Sequence, residues 1–417
     1  MTSQWLKGLY RAFLVLTACF LAAAATAAAS GGPGDQTRAV VALVILDGCP
    51  AQSLDALPPE AFLRRMASTG LYQHVKTVFP SSTAAGHAAI LTGKWPEENG
   101  ITGKQFVGED GELSGFSSPS LLEARTIIQR AAELGIRTAL VSGKEGVRTL
   151  FCEGADLAAS PATAPPWVLE TVGPPPDESA QYEDYCGWYE KLDGWVVDVA
   201  CAFAKDAGPS SFIVLNLAGP DKVGHRCGPV PARETTRCLV AAGEALERLT
   251  ATLEEVAGTN WAVVVTADHG MTYVDKAITP ADLLDGFDEA DCVYSLDGGV
   301  MGVWPAATKQ DAVVAALKGA EGVLGVITTS SAERASLHAG HPRSAPIIAI
   351  AERGYMFIES AAFMEYTKGS HGALLDTDVT VPLIVYGPQA GRVDLSKVRD
   401  TVEIAAVTAE LLGGLGD

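Results

Sequence analysis

Apolar positions follow two rhythms along this chain. One is the continuous run. Val40–Leu46, Thr138–Val141, Phe212–Leu217, Trp261–Val265 and Val381–Tyr386 are almost unbroken aliphatic stretches, as expected of strands buried on both faces of a parallel sheet. The other is helical. Leu121–Leu134 spaces its apolar residues by three and four and stops at Gly135, a residue suited to a helix C-terminus. Arg233–Val256 sets Leu239, Ala242, Leu246, Leu249, Leu253 and Val256 on one face. Asp400-Thr401-Val402-Glu403 has the form of a capping box opening a last helix. Strands alternating with helices predict an α/β fold with a mainly parallel central sheet flanked by helices on both faces. Gly154–Tyr189, rich in Pro, acids and aromatics, reads as an insertion. The segment from Phe287 to Pro346, with short strand-like pieces, reads as a small cap insertion beside a pocket.

The first residues break this pattern. Lys7 and Arg11 precede an apolar, Ala-rich run ending in Ala27-Ala28-Ala29, the layout of a signal peptide over 1–29. A linker over 30–37 and a catalytic domain over 38–417 would follow, in an exported protein that is periplasmic or secreted. Two alternatives stay open: Leu16-Thr17-Ala18-Cys19 resembles a lipobox, which would anchor the chain through Cys19, and a retained run of this length is marginally able to span a bilayer. The formal charge of the 417 residues is −20. Loss of residues 1–29 removes two cations and no acid, leaving about −22. So acidic a surface disfavours nucleic-acid polymers and anionic membranes, yet admits a small anionic substrate where bound cations set the local field. Seven cysteines follow residue 29, an odd number that leaves at least one thiol free or paired between chains.

In open α/β sheets the ligand site lies beyond the carboxyl ends of the strands. Asp47 follows the first strand and Lys144 the second. Asp221, Lys222 and His225 follow the third, Asp268 and His269 the fourth, and His371 lies just before the fifth. Singly, each has an ordinary explanation as a turn or a surface pair. Together, three Asp and three His suit Zn²⁺, with Mn²⁺ or Fe as alternatives, and divide into two sites of three. The stretch "FPSSTAAGHAAILTG", Phe79–Gly93, adds a Ser-Ser-Thr step into a small-residue helix. Its hydroxyls read either as helix caps or as a nucleophile at a helix N-terminus.

"VILDG", "FPSSTAAGHAAILTG", "AGPDKVGHRCGP", "TADHGM" and "KGSHG" resemble, in order and rough spacing, the motifs of the alkaline phosphatase superfamily, most of all its nucleotide pyrophosphatase/phosphodiesterase branch. The resemblance spans nearly all of the chain after the leader. It implies an alkaline-phosphatase-like fold with two zinc ions, one held by Asp221, His225 and His371, the other by Asp47, Asp268 and His269. Thr83 would be the nucleophile, capping its helix and attacking phosphorus to give a phospho-threonine intermediate that water then hydrolyses. His87 would be structural.

The substrate is less legible. Lys104 stands near the place of the Asn that contacts a phosphoryl oxygen in many phosphodiesterase relatives, and reads equally as a phosphate contact or a surface lysine. Leu121–Phe151 resembles phosphonoacetate hydrolases, which implies that Lys144 grips an anionic group. A second basic residue two positions on is replaced by Gly146, and Arg148 could substitute if the loop turns back. The expected function is an exported zinc phosphohydrolase acting on a small phosphodiester, pyrophosphate or phosphomonoester. A phosphonate hydrolase is the alternative; a phosphomutase and a non-catalytic metal-binding protein stand further off.

Overall fold

The computed structural model describes residues 39–414; the signal peptide, the linker and Cys19 lie outside the described residues. Among these residues seven strands build the central sheet: β1 (Val40–Leu46), β2 (Leu71–Lys76), β3 (Arg137–Ser142), β4 (Leu157–Ala159), β5 (Ser211–Leu217), β6 (Trp261–Thr266) and β7 (Thr380–Tyr386), in the spatial order β2-β7-β6-β1-β5-β3-β4. The inner strands β6, β1, β5 and β3 are parallel and fully buried apart from the first residue of β3. That burial on both faces is why their sequences run apolar without alternating.

The fifth predicted strand, β7, is antiparallel to both β6 and β2. Its reversed direction brings the residues that precede it to the same edge as the ends of the parallel strands. Two strands were not foreseen. β2 lies at the sheet edge with only Val75 buried, and β4, Leu-Ala-Ala, is only three residues long. Leu121–Leu134 was expected to be one helix, but the helix begins only at Ile127. Pro119–Leu121 forms a separate 3₁₀ turn, and Thr126 and Gln129 close a capping box at the true start. The region read as an insertion ends inside a 23-residue helix, Tyr185–Ala207.

Four helices matter for the site: α1 (Thr83–Thr92), α2 (Tyr185–Ala207), α3 (Gly219–Cys227) and α4 (Arg233–Ala257). The long α2 and α4 pack along each other, and α4 buries Leu239, Ala242, Leu246, Leu249 and Leu253, as its periodicity predicts. α1 is different. It is buried from Ala85 onward, and its small residues let it run against the end of β6. A Cβ on Gly86 would collide with the backbone carbonyl of Asp268. A second sheet of Cys292–Asp297, Val300–Pro305, Val323–Thr328 and Ile347–Ala351 is wholly antiparallel and carries its own core around Met301, Val303 and Ile347. It occupies the stretch read as the cap and extends a few residues past it.

Because Gly86 is pressed against backbone and not against a side chain that can swing away, Gly86→Ala should destabilise the protein by about 2 kcal/mol or more. A thermal melt that matches the unsubstituted protein would show that α1 does not depend on this contact.

Candidate active site

The strand ends deliver the side chains to one place. Asp47 is the first residue after β1, its N–H donating to Leu217 O at 3.1 Å. α3 starts two residues after β5, so Asp221 and His225, one turn apart, share a helix face. Asp268 and His269 leave β6, and Asp268 Oδ1 accepts from the N–H groups of Gly48 and His269. His371 arrives on the short strand Gly369–Ser370 that pairs with Thr272–Ile278. Thr83 opens α1, but Ser82 holds the N-cap position, and its hydroxyl caps nothing. Thr83 is therefore not the cap expected of it. Its Oγ1 lies 3.3 Å from His269 Nε2 and 3.2 Å from Lys144 Nζ.

Two groups of three result. The donor atoms of Asp221, His225 and His371 lie within 4.8 Å of one another, as do those of Asp47, Asp268 and His269. The groups adjoin, the rings of His269 and His371 stacking with centroids 3.7 Å apart. All three imidazoles are oriented alike. His225 Nδ1 bonds Gly369 O (2.8 Å), His269 Nδ1 bonds Gly270 O (2.8 Å) and His371 Nδ1 bonds Ser81 O (3.0 Å). A carbonyl can only accept, so each Nδ1 carries the proton and each Nε2 presents a lone pair to the centre.

Oxygen atoms also converge without hydrogen bonds. Asp221 Oδ1 and Asp268 Oδ2 are buried and accept no hydrogen bond, although His225 Nε2 stands 3.1 Å from the first, and His269 Nε2 (3.5 Å) and His87 Nδ1 (3.1 Å), whose proton goes to Thr83 O, stand beside the second. Lone pairs of oxygen and nitrogen facing each other at these distances need a cation between them. The donor set and its orientation thus fit a divalent metal in each group.

Lys144 is the cation the chain itself supplies. Its Nζ lies 2.8 Å from Asp47 Oδ1 and 2.7 Å from Asp221 Oδ2, tying the two groups together. Burial opposes its charge, but Asp221, Asp47 and Asp268 outweigh burial and hold it protonated well past the usual lysine range. Burial likewise pushes against Asp221, yet Lys144 and His225 pull its carboxyl far below the ordinary range. Asp47 goes the other way: burial and the neighbouring Asp268 raise it.

The remaining predicted residues divide. Lys104 lines the same cavity, of about 790 Å³, and its Nζ donates to Leu296 O at 3.3 Å. Arg148 does not line it. Its guanidinium is taken by Glu145 at 2.5 Å, and Glu145 is drawn down to about 2 despite its own desolvation, by that bond and by Ser160 and Thr149. The loop does not turn back, because α-helical geometry from Glu145 to Phe151 pairs residues three apart on its outer side. His87 is fully buried, with Nδ1 2.9 Å from Thr83 O and 3.1 Å from Asp268 Oδ2, and Nε2 3.2 Å from Asn216 Nδ2. Asn216 was missed altogether. Its Nδ2 donates to Asp47 Oδ2 at 2.7 Å and its Oδ1 accepts from Ser142 Oγ at 3.0 Å. The signal was a lone polar residue inside the apolar run of β5, one position before the strand end. Asp193, also unforeseen, reaches from α2 to accept from Gly219 N at 3.0 Å and so holds the start of α3; burial lifts its carboxyl to about 8.

Known proteins resemble this chain in sequence and fold. The family model described as type I phosphodiesterase/nucleotide pyrophosphatase matches residues 41–374. The human ectonucleotide pyrophosphatase/phosphodiesterase family member 7 is 24% identical over 329 residues, covering 74% of this chain and 66% of its own length, so the chain spans just under two thirds of that relative. The mouse bis(5'-adenosyl)-triphosphatase enpp4 is 21% identical over 394 residues, 92% of this chain and 79% of the relative. Among solved structures, phosphonoacetate hydrolase from Sinorhizobium meliloti 1021 in complex with phosphonoformate superposes with a TM-score of 0.72 at 22% identity, over 90% of this chain and 96% of that one. Murine ectonucleotide pyrophosphatase/phosphodiesterase 5, an inactive variant in complex with AMP, superposes with a TM-score of 0.68 at 20% identity, over 90% and 95%. These structural likenesses establish the alkaline-phosphatase-like α/β fold.

Zinc added to chelator-treated protein should raise its melting temperature, since a ligand of the folded state alone stabilises it. Asp221→Ala should bind about one ion fewer per chain, and Asn216→Ala should weaken binding roughly tenfold to a hundredfold by freeing Asp47. Elemental analysis after dialysis and calorimetric titration check both; unchanged stoichiometry in Asp221→Ala would refute the grouping.

Proposed function

The chain belongs to the type I phosphodiesterase/nucleotide pyrophosphatase family, and on that premise we propose that it is an exported two-zinc phosphohydrolase that cleaves phosphodiester, pyrophosphate or phosphomonoester bonds of small molecules through a phosphorylated Thr83. The observation that carries this reading is the position of Thr83 Oγ1, beside both His269 Nε2 and Lys144 Nζ on the wall of the cavity. The names of the relatives point the same way, since they include a pyrophosphatase/phosphodiesterase and a triphosphatase. Asp221, His225 and His371 would hold one metal, and Asp47, Asp268 and His269 the other. When bound, such cations lower the pKa of a coordinated hydroxyl and neutralise phosphoryl oxygens.

The chain's own residues supply the rest. Thr83 Oγ attacks phosphorus, forming one P–O bond as the bond to the leaving oxygen breaks; water then attacks phospho-Thr83 and releases phosphate or a phosphomonoester. The helix start at Thr83 favours charge building on that oxygen. Lys144 is held protonated by its carboxylates, so it acts as a fixed positive charge toward phosphoryl oxygens, not as a base. His87 donates to the Thr83 carbonyl and packs 3.1 Å from the Asp268 carboxylate, keeping nucleophile and ligand in register. Apolar walls from Phe116, Leu150, Phe151 and Phe357 limit water around the reacting centre.

A second reading, phosphonate hydrolysis, is favoured by Lys144 standing at the centre of the site and by the fold shared with phosphonoacetate hydrolase.

A substrate panel separates them: 4-nitrophenyl phosphate, the 4-nitrophenyl ester of thymidine 5'-monophosphate and phosphonoacetate, each with zinc-loaded protein and with Thr83→Ala. Thr83-dependent turnover led by the diester is expected, with the variant at least about a thousandfold slower and its metal content unchanged. Turnover of phosphonoacetate alone would transfer the assignment to the second reading. Lys144→Ala should lower kcat/KM by about a hundredfold; a change under twofold would leave Lys144 without a catalytic part.

A further inference from the structure

Two cysteines meet beside the helix that carries Asp221 and His225. Cys186 lies in the first turn of α2, and Cys227 is the last residue of α3. Their Sγ atoms stand 3.8 Å apart, although 41 positions separate them in the chain. Both side chains are partly exposed, so a small reagent can reach them. The residues around them hold the approach in place. The Arg226 guanidinium lies over the Tyr185 ring, 5.1 Å from its centroid. His225 O accepts from Lys368 N at 2.7 Å and Gly224 O accepts from Gly228 N at 2.8 Å, which fixes the last turn of α3. Cys238 does not compete for either sulfur. It is buried at the other end of α3, where a Cβ on Gly219 would strike its Sγ.

α2 already holds the start of α3, because Asp193 accepts from Gly219 N at 3.0 Å. The two sulfurs offer the matching hold at the end. We propose that Cys186 and Cys227 are an oxidation site, forming a disulfide that ties the end of α3 to the start of α2 and keeps Asp221 and His225 in place when no metal does. The sulfurs must close to about 2.05 Å, a movement that rotation of two partly exposed side chains supplies. Of the seven cysteines among the described residues, this pairing leaves five as thiols, in keeping with an odd number that cannot all pair within one chain.

The oxidant is a disulfide donor, either glutathione disulfide or a thiol–disulfide oxidoreductase. One cysteine attacks a donor sulfur, breaking the donor S–S bond and releasing one donor thiol. The other cysteine then attacks the mixed disulfide and expels the second donor thiol. Two S–H bonds are lost and one S–S bond forms; two electrons pass to the donor, and the two protons leave on its thiols. The export reading says where this happens, in oxidising surroundings. The part given to Asp221 and His225 rests on the two-metal reading, whereas the bond itself rests on the sulfur pair alone.

The full chain, incubated with oxidised and reduced glutathione, alkylated in denaturant and mapped by peptide mass spectrometry, tests the bond. A peptide containing Cys227 should appear joined to one containing Cys186, and Cys186→Ser should leave Cys227 fully alkylated. The proposal is overturned if both thiols alkylate freely in the parent, or if Cys227 is joined to another cysteine or to glutathione alone. Closing a loop of this length should raise the melting temperature of the chelator-treated protein by about 5 °C over the phosphine-reduced form. The double variant Cys186→Ser/Cys227→Ser should melt alike in both states. Equal melting of the oxidised and reduced parent, with the bond formed, would remove the holding part assigned to it. The oxidised, zinc-loaded parent should also release zinc to a chelator at least about threefold more slowly than the double variant; equal rates would likewise overturn the hold on α3. Failure of the two-metal reading shows differently, as no zinc bound by either protein, and leaves the peptide map and the metal-free melts to decide the disulfide.

Discussion

Three carboxylates, Asp47, Asp221 and Asp268, meet at the edge of the sheet with almost no exposure to solvent. Like charges about 4 Å apart repel by roughly 4 kcal/mol per pair even at an effective dielectric constant of 20. The rest of the structure answers that repulsion. Lys144 enters between two of the acids, Asn216 donates to Asp47, and the N–H groups of Gly48 and His269 donate to Asp268. One oxygen in each group stays without a hydrogen bond, and there the donor set fits a metal ion.

Holding the acids together demands a stiff frame. Parallel strands β6, β1 and β5 bring Asp268, Asp47 and the start of α3 side by side in register, with Leu46 opposite Leu217 and Ile45 opposite Thr266. The reversed β7 brings the His371 segment to the same edge. α1 approaches closely because its residues are small, and His87 then links it to Asp268 and, through Asn216, to Asp47. Thr83 and the candidate ligands are thus tied into one unit. Asp193 extends that unit to α2 by accepting from the start of α3.

The misreadings have a common origin. Inner strands were legible because burial on both faces leaves an uninterrupted apolar run. The edge strand β2 lacks that mark because only Val75 in it is buried, and β4, though Leu157 and Ala159 are buried, is too short to leave a run. Arg148 was placed by its distance along the chain, whereas its position is decided by Glu145 three residues before it on a helix. Asn216 could have been found, as a polar residue that interrupts an otherwise apolar strand just before its end.

By itself the sequence determined the kind of fold and named candidate ligands in their order, because these are written locally: an apolar run, then an acid or a histidine in the turn that follows. Five such local signals name the candidate ligands, and Thr83 is named by the resemblance of its stretch to the family motif. Only the tertiary structure decided what each of them does to the others. Which nitrogen of each histidine faces inward depends on carbonyls of Gly369, Gly270 and Ser81, and Lys144 rather than Arg148 holds the centre because of where two helices begin. Those outcomes arise from contacts between segments far apart in the chain, and short-range pattern carries no record of them.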